Sequence, residues 1–233
     1  MNIRMREGYA GTGPGERTPD GCSVELYKRL PVGDEPDVVA AAVPAGASIL
    51  ELGSGAGRVT RPLAERGFTV TAVDESPGML EQITGVDGVR TVCSPIEDLD
   101  TGETYDVVML ASFLVHAGDP RIRQGLLRTC RRHVKDDGCV LVQREGLDWH
   151  ADVPRERRNS AGGLVRIKSA TPVGDGVDAM LCEYVYPEAT WTQTFLSRPL
   201  SHEEFARHLG EAGLVVDSTL TDDGTWVRAL PAR

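Results

Sequence analysis

Three glycines at two-residue spacing, Gly53, Gly55 and Gly57, follow the apolar run Ala47-Ser-Ile-Leu-Glu-Leu and precede a helical stretch opening at Arg58. A ligand can rest on backbone only where no Cβ intrudes, and glycine also supplies unusual φ values. Asp74 stands 23 residues after Glu51, at the end of a second apolar run, Phe68-Thr-Val-Thr-Ala-Val. A carboxylate placed there can accept hydrogen bonds from both hydroxyls of a ribose. The spacing G-x-G-x-G differs from the G-x-G-x-x-G that holds a pyrophosphate, and the acidic Glu51 just before the loop would repel one. The same carboxylate suits the cationic end of an amino-acid moiety.

These details favour S-adenosylmethionine over NAD. Ile49 to Arg58, Val73-Asp-Glu-Ser-Pro-Gly-Met-Leu80 and Tyr105-Asp-Val-Val-Met-Leu110 occur in that order along the chain. From about residue 45 to 145 the sequence resembles the class I S-adenosylmethionine-dependent methyltransferases, in their small-molecule type. The run Arg131 to Val142 is similar to the helix–turn–strand that follows in that family. The resemblance implies a Rossmann-like α/β fold, an open seven-stranded sheet with helices on both faces. It also implies S-adenosylmethionine as cofactor. Glu51, Gly53, Ser54, Gly55 and Gly57 then fall on the loop that cradles methionine and ribose. Asp74 falls on the ribose acid, with Glu75 beside it. Met79 falls where an apolar side chain packs on adenine, although it serves equally as plain core. Family members often place an Asp after the third strand to meet the adenine amino group, and Pro95 stands there in this chain. Adenine is therefore expected to be read by backbone near Ile96 and by Glu97 or Asp98. Ala111 and Ser112 would face the methionine part.

Open parallel sheets present ligands at the carboxyl ends of their strands. The acceptor side is thus expected after the fourth and fifth strands, in the N-terminal segment, or in an insertion. His116 follows the fourth strand and is the candidate general base, since an imidazole titrates near neutrality; a local capping role is its alternative. Arg144, Glu145 and Trp149 gather polar and aromatic chemistry after the fifth strand, with His150 expected on the surface. Tyr9 and Tyr27 are candidates to roof the acceptor, Tyr27 doubling as a helix core residue. Trp191 and Phe195 alternate on one strand face, as insertion core or a dimer surface. The sequence has no H-x-x-x-H pair and no Cys/His cluster, and Asp119 with Glu145 does not make the ligand set of catechol-type enzymes, so no metal is expected. The fourth strand ends Leu110-Ala-Ser-Phe, without the D/N-P-P-Y/F signature of amino methyltransferases acting on nucleic acid or glutamine side chains.

The elements that must position these residues follow from periodicity. Apolar runs at 47–52, 68–73, 89–93, 105–110 and 139–143 read as strands, and 23–30, 34–43, 58–66, 76–83 and 120–134 as helices. That alternation predicts a parallel sheet covered on both faces. From Gly163 the rhythm changes. Runs at 164–169, 179–186 and 190–196, with short turns between them, predict an antiparallel insertion. The capping box Ser201-His-Glu-Glu opens a last helix, and 214–220 with 225–230 predict a closing antiparallel pair. The division expected is 1–44 as N-terminal flap, helices and acceptor lid, 45–162 as cofactor core, 163–200 as insertion, and 201–233 as the end of the core. Gly8 to Gly21, with five glycines and two prolines, reads as irregular.

The chain has 233 residues, 40% hydrophobic and 26% charged, an ordinary globular composition. A net charge of −10 disfavours nucleic acid and anionic membranes as partners. No run approaches the length of a membrane span, the first residues lack a signal-peptide core, and five scattered cysteines suggest no disulfide framework. A cytoplasmic enzyme methylating an oxygen or nitrogen of a small metabolite, in secondary metabolism, is expected, with the insertion offering a homodimer contact. The alternative is a cofactor-binding protein of the same fold that catalyses another reaction or serves a regulatory role.

Overall fold

Along β2 (Ser48–Leu52), alternate residues enter different apolar clusters: Leu50 and Leu52 one, Ile49 the other. The same split runs through β5 (Tyr105–Leu110), with Val108 and Leu110 on one side and Val107 and Met109 on the other. A period of two with both faces buried is the signature of a central strand sandwiched between helices. In the computed structural model, which describes residues 5–233, this strand pair lies at the centre of a seven-stranded sheet.

The chain forms two units, 1–31 with 147–199, and 32–146 with 200–233. In the second unit β2 is flanked by β5 and by β3 (Thr69–Asp74), with β4 (Val89–Cys93) beyond β3, all parallel. On the far side of β5 lies β6 (Val134–Gln143), parallel, then β12 (Trp226–Pro231) and β11 (Leu214–Thr219), both in antiparallel pairings. Helices α5 (Pro120–His133) and α6 (His202–Glu211) supply Leu126, Leu127, Phe205 and Leu209 to one face. Helices α2 (Glu35–Ala42), α3 (Thr60–Glu65) and α4 (Pro77–Leu80) border the other, with Val39, Leu63 and Leu80. The open α/β sheet expected from the sequence is thus observed. The capping box of α6 is present, Ser201 Oγ accepting from Glu204 N and Glu204 Oε2 from Ser201 N, each at 3.0 Å. The turn expected at 135–138 is instead an excursion within β6, marked by a register shift opposite Tyr105 and Val107. Among the described residues no helix is long and apolar enough to cross a membrane.

The first unit is a five-stranded antiparallel sheet ordered β1-β10-β9-β8-β7, from β1 (Ala10–Thr12), β7 (Arg155–Arg158), β8 (Leu164–Gly174), β9 (Val177–Tyr186) and β10 (Ala189–Ser197). The short helix α1 (Val24–Tyr27) contributes Leu26 to a small core with Cys22, Tyr186 and Trp191. The N-terminal stretch expected to be irregular is anchored here: β1 pairs with Thr192–Thr194 of β10. A Cβ on Gly11 would lie 2.1 Å from the Gly21 carbonyl oxygen and 2.5 Å from that of Thr192, so glycine permits this close approach. The dividing lines fall after residues 31, 146 and 199 rather than at 44, 162 and 200. The segment 32–44 with α2 joins the core, and 147–162 joins the antiparallel sheet.

Candidate functional site

The glycine loop leaves β2 and is tied to the end of β3, where Gly53 N and Ser54 N both donate to Val73 O at 2.9 Å. Asp74 then bridges two segments. Its Oδ2 accepts from Gly55 N and its Oδ1 from Ser76 N, each at 2.9 Å. All three glycines have positive φ, and what lies above each differs. A Cβ on Gly57 would stand 1.9 Å from Ile83 Cγ2, and one on Gly53 would stand 2.7 Å from Leu114 Cδ1. A Cβ on Gly55 would meet nothing within 4 Å. Packing thus requires glycine at 57 and 53, whereas the space where a Gly55 side chain would stand is open. The hydroxyls of Ser54 and Ser76, both buried, have no hydrogen-bond partner. An unsatisfied buried hydroxyl costs about 1–3 kcal/mol, so two of them beside an open glycine mark a place built for a polar partner.

Glu51 is buried under the loop, where its Oε2 accepts from Thr60 Oγ1 at 2.6 Å. Burial pushes its carboxyl up to about 7, against the smaller opposing pull of the Thr60 hydrogen bond and Arg58. A carboxyl poised near neutrality ionises readily when a cation arrives. Arg58 itself pairs with Glu35. Glu75 is half-buried beside Asp74, and Met79 is buried in α4 yet belongs to neither apolar cluster of the core. Ile96 is buried in a short 3-10 turn, its carbonyl taken by Thr129 Oγ1 at 2.9 Å, with Glu97 half-buried and Asp98 exposed.

After β5 the chain turns through Ser112 and Phe113, at φ of 54° and 60°, two consecutive non-glycine residues in the left-handed region. Ala111 is buried and Ser112 exposed, and Ser112 N donates to Gln143 Oε1 at 2.8 Å. His116 closes this turn and is buried, and its Nε2 accepts the Glu145 N–H at 2.9 Å. A neutral imidazole has one unprotonated nitrogen, and here that lone pair is already engaged. The expected general base thus has its Nε2 engaged, and the ring ties the turn after β5 to the end of β6.

Arg144, the next expected acceptor-side residue, joins the end of β6 to the segment leading into α6. Its guanidinium is buried, reaches Leu200 O at 2.7 Å and His202 Nδ1 at 3.0 Å, and lies 4.8 Å from the centre of the Phe205 ring. Burial lowers its pKa from the ordinary arginine value. Glu145 is buried and contributes its backbone N–H to His116. Three further candidates lie in the other unit. Trp149 stacks under the Arg155 guanidinium at 5.1 Å, with the Phe195 ring 6.3 Å away. The Tyr27 hydroxyl donates to Asp20, and burial raises the phenol well above its usual pKa. Tyr9 is half-buried, its N–H on Arg6 O at 3.1 Å. His150, expected on the surface, is held between Asp178 Oδ2 at 2.6 Å and Ser197 Oγ at 3.0 Å. Trp191 is buried as insertion core, its Nε1 donating to Pro14 O at 2.8 Å.

Residues 49–138 match the family model of a methyltransferase domain. The core unit carries a class I methyltransferase domain. The ubiquinone biosynthesis O-methyltransferase of Rickettsia conorii is 33% identical to this chain over 99 residues, 40% of this chain and 33% of that protein. That of Pseudomonas entomophila is 34% identical over 104 residues, 42% of this chain and 44% of the relative. The match thus spans less than half the length of these relatives. Among solved structures, the CcbJ methyltransferase of Streptomyces caelestis aligns with a TM-score of 0.71 at 20% identity, covering 90% of this chain and 96% of that one. An amino pentose methyltransferase of Micromonospora echinaspora involved in calicheamicin biosynthesis, with S-adenosylmethionine bound, aligns at 0.64 and 20% identity, covering 85% and 89%. At such identities the structural likeness carries the fold of the methyltransferase domain.

S-adenosylmethionine is the cofactor of such domains, and the residues present fit it. Asp74 offers two oxygens at the end of β3, Gly55 leaves room over the loop, and Ser54 and Ser76 have hydroxyls to give. Thr60, Ser76, Leu114 and Gln143 were not singled out by sequence reasoning. A polar residue ending the apolar run of β6, where parallel strands present ligands, was a usable signal for Gln143; the others carried none.

Proposed function

We propose that this chain is an S-adenosylmethionine-dependent methyltransferase acting on an oxygen or nitrogen of a small metabolite, in secondary metabolism. The observation that carries the reading is the open space over Gly55, whose N–H rests on the Asp74 carboxylate, in a loop that also holds the buried, unpartnered hydroxyl of Ser54. When bound, S-adenosylmethionine supplies a methyl group on a sulfonium, open to in-line attack. Asp74 would hold the ribose hydroxyls, the loop backbone would seat the amino-acid end, and Glu51 would oppose its ammonium with a carboxylate. The ends of β5 and β6 lie on the far side of β2 from β3, which leaves them for the acceptor. With the His116 lone pair engaged, the rate would come from alignment of a nucleophile that brings its own lone pair, an amine or an ionised oxygen. The names of the relatives agree with oxygen as the methylated atom, in the O-methyltransferases, and with a small acceptor, in the amino pentose methyltransferase. The net charge of −10 supports a small acceptor over nucleic acid or an anionic membrane.

The test is transfer of tritium from S-[methyl-³H]adenosylmethionine into a small-metabolite extract. Label in the small-molecule fraction, lost in Asp74→Ala, is expected. Tight cofactor binding with no labelled product from any extract would favour a binding role instead.

A further inference from the structure

We propose that Gln143 is a positioning residue for the amino-acid end of the cofactor, acting through the turn after β5; the inference rests on the cofactor reading above. Ser112 and Phe113 both occupy the left-handed region. Consecutive non-glycine residues persist there only where their surroundings hold them. Gln143 Oε1 takes the Ser112 N–H at 2.8 Å. Because the partner is a backbone N–H, the atom facing it must be the oxygen, which settles the orientation of the amide. Gln143 is itself fixed: it is the last residue of β6, it is buried, and the next residue, Arg144, donates its backbone N–H to Thr225 O at 2.8 Å.

The turn delivers Leu114 to the cofactor loop. Leu114 Cδ1 occupies the place 2.7 Å from where a Gly53 Cβ would stand, so the leucine seats the first glycine of the loop. Gly53 is followed by Ser54, one of the two buried residues whose hydroxyl has no partner. The line of contact therefore runs from the Gln143 amide to Ser112, through the left-handed turn to Leu114, and onto the loop under the methionine part. Asp74, which would hold the ribose, meets the loop further on, at Gly55 N, two residues past the glycine that Leu114 seats. Gln143 Nε2 makes no hydrogen bond to another described residue, so Gln143→Glu keeps an oxygen for Ser112 and breaks no other bond.

The experiment is calorimetric titration with two probes, S-adenosylhomocysteine and 5′-methylthioadenosine, which lacks the amino-acid end. In Gln143→Leu, S-adenosylhomocysteine should bind about tenfold more weakly, as for loss of one hydrogen bond that sets a strained turn. Affinity for methylthioadenosine should stay within about twofold, and Gln143→Glu should restore S-adenosylhomocysteine to within about threefold. Leu114→Ala, which breaks the other end of the line, should show the same split between the probes and serves if Gln143→Leu does not fold. Equal weakening for both probes, no weakening, or a glutamate variant as poor as the leucine would overturn the proposal. A wild-type protein that binds neither probe would refute the cofactor reading itself.

Discussion

Replacing Gly55 and Gly57 by alanine, one at a time, should separate ligand space from packing space within one loop. Both residues have positive φ, at 56° and 85°, so each alanine is strained by roughly 1–2 kcal/mol. Beyond that the two diverge. The new methyl at 57 would stand 1.9 Å from Ile83 Cγ2, a buried side chain of the core, and overpacking of this kind adds roughly 1–3 kcal/mol. The new methyl at 55 meets no protein atom within 4 Å. Gly57→Ala should therefore cost about 2–5 kcal/mol and Gly55→Ala about 1–2 kcal/mol. Because the chain has two units, stability is best followed by hydrogen exchange at the amides of β2 and β5, which report the core alone. Calorimetry with S-adenosylhomocysteine supplies the second axis. Gly55→Ala should bind it more than about tenfold more weakly despite a nearly intact core, since the methyl takes up ligand space. The reasoning is refuted if Gly55→Ala loosens the core as much as Gly57→Ala, or if it binds the ligand as tightly as wild type.

Three other perturbations have expected outcomes. Burial raises the Glu51 carboxyl to about 7 from an ordinary 4.5, so the folded chain holds this proton more tightly than the unfolded one. Its contribution is full below about pH 4.5 and fades as pH rises through 7, amounting to roughly 3 kcal/mol, and Glu51→Gln should flatten that part of a urea-stability profile against pH. His116→Ala should leave the buried Glu145 N–H without its acceptor and cost about 1–3 kcal/mol in urea unfolding; full stability with methyl transfer lost would restore the general-base role. Arg144→Ala should cost on the order of 3 kcal/mol by the same measurement, and Arg144→Lys should not rescue it, because one ammonium cannot reproduce the fork to Leu200 and His202.

The core was legible because its strands obey a simple rule. Tyr105–Leu110 was read with the boundaries the structure shows, since a buried parallel strand is a short apolar run ended by turns. The strand Arg155–Arg158 was missed because four charged residues on a sheet edge carry no apolar pattern. The strand Ala10–Thr12 was missed for a different reason: among glycines, only its partner Thr192–Thr194, some 180 residues away, makes it a strand. On the site, the glycine loop and Asp74 were legible from spacing. The division of labour among the glycines was not, because it depends on Ile83 and Leu114, which reach the loop through the fold. His116 and Arg144 stand where chemistry was expected. Their hydrogen bonds to Glu145, Leu200 and His202 join segments distant in sequence, and no local pattern announces such partners.

The central claim is that the loop after β2 and the acid after β3 form a seat for S-adenosylmethionine. It is tested most directly by calorimetric titration of the wild-type chain and of Asp74→Ala with S-adenosylhomocysteine. A carboxylate hydrogen-bonded to ribose hydroxyls contributes roughly 1.5–3 kcal/mol, so the account predicts saturable one-site binding to wild type and an affinity about ten- to a hundredfold lower in a folded Asp74→Ala. Equal affinities in the two proteins, or no binding to wild type, would contradict it.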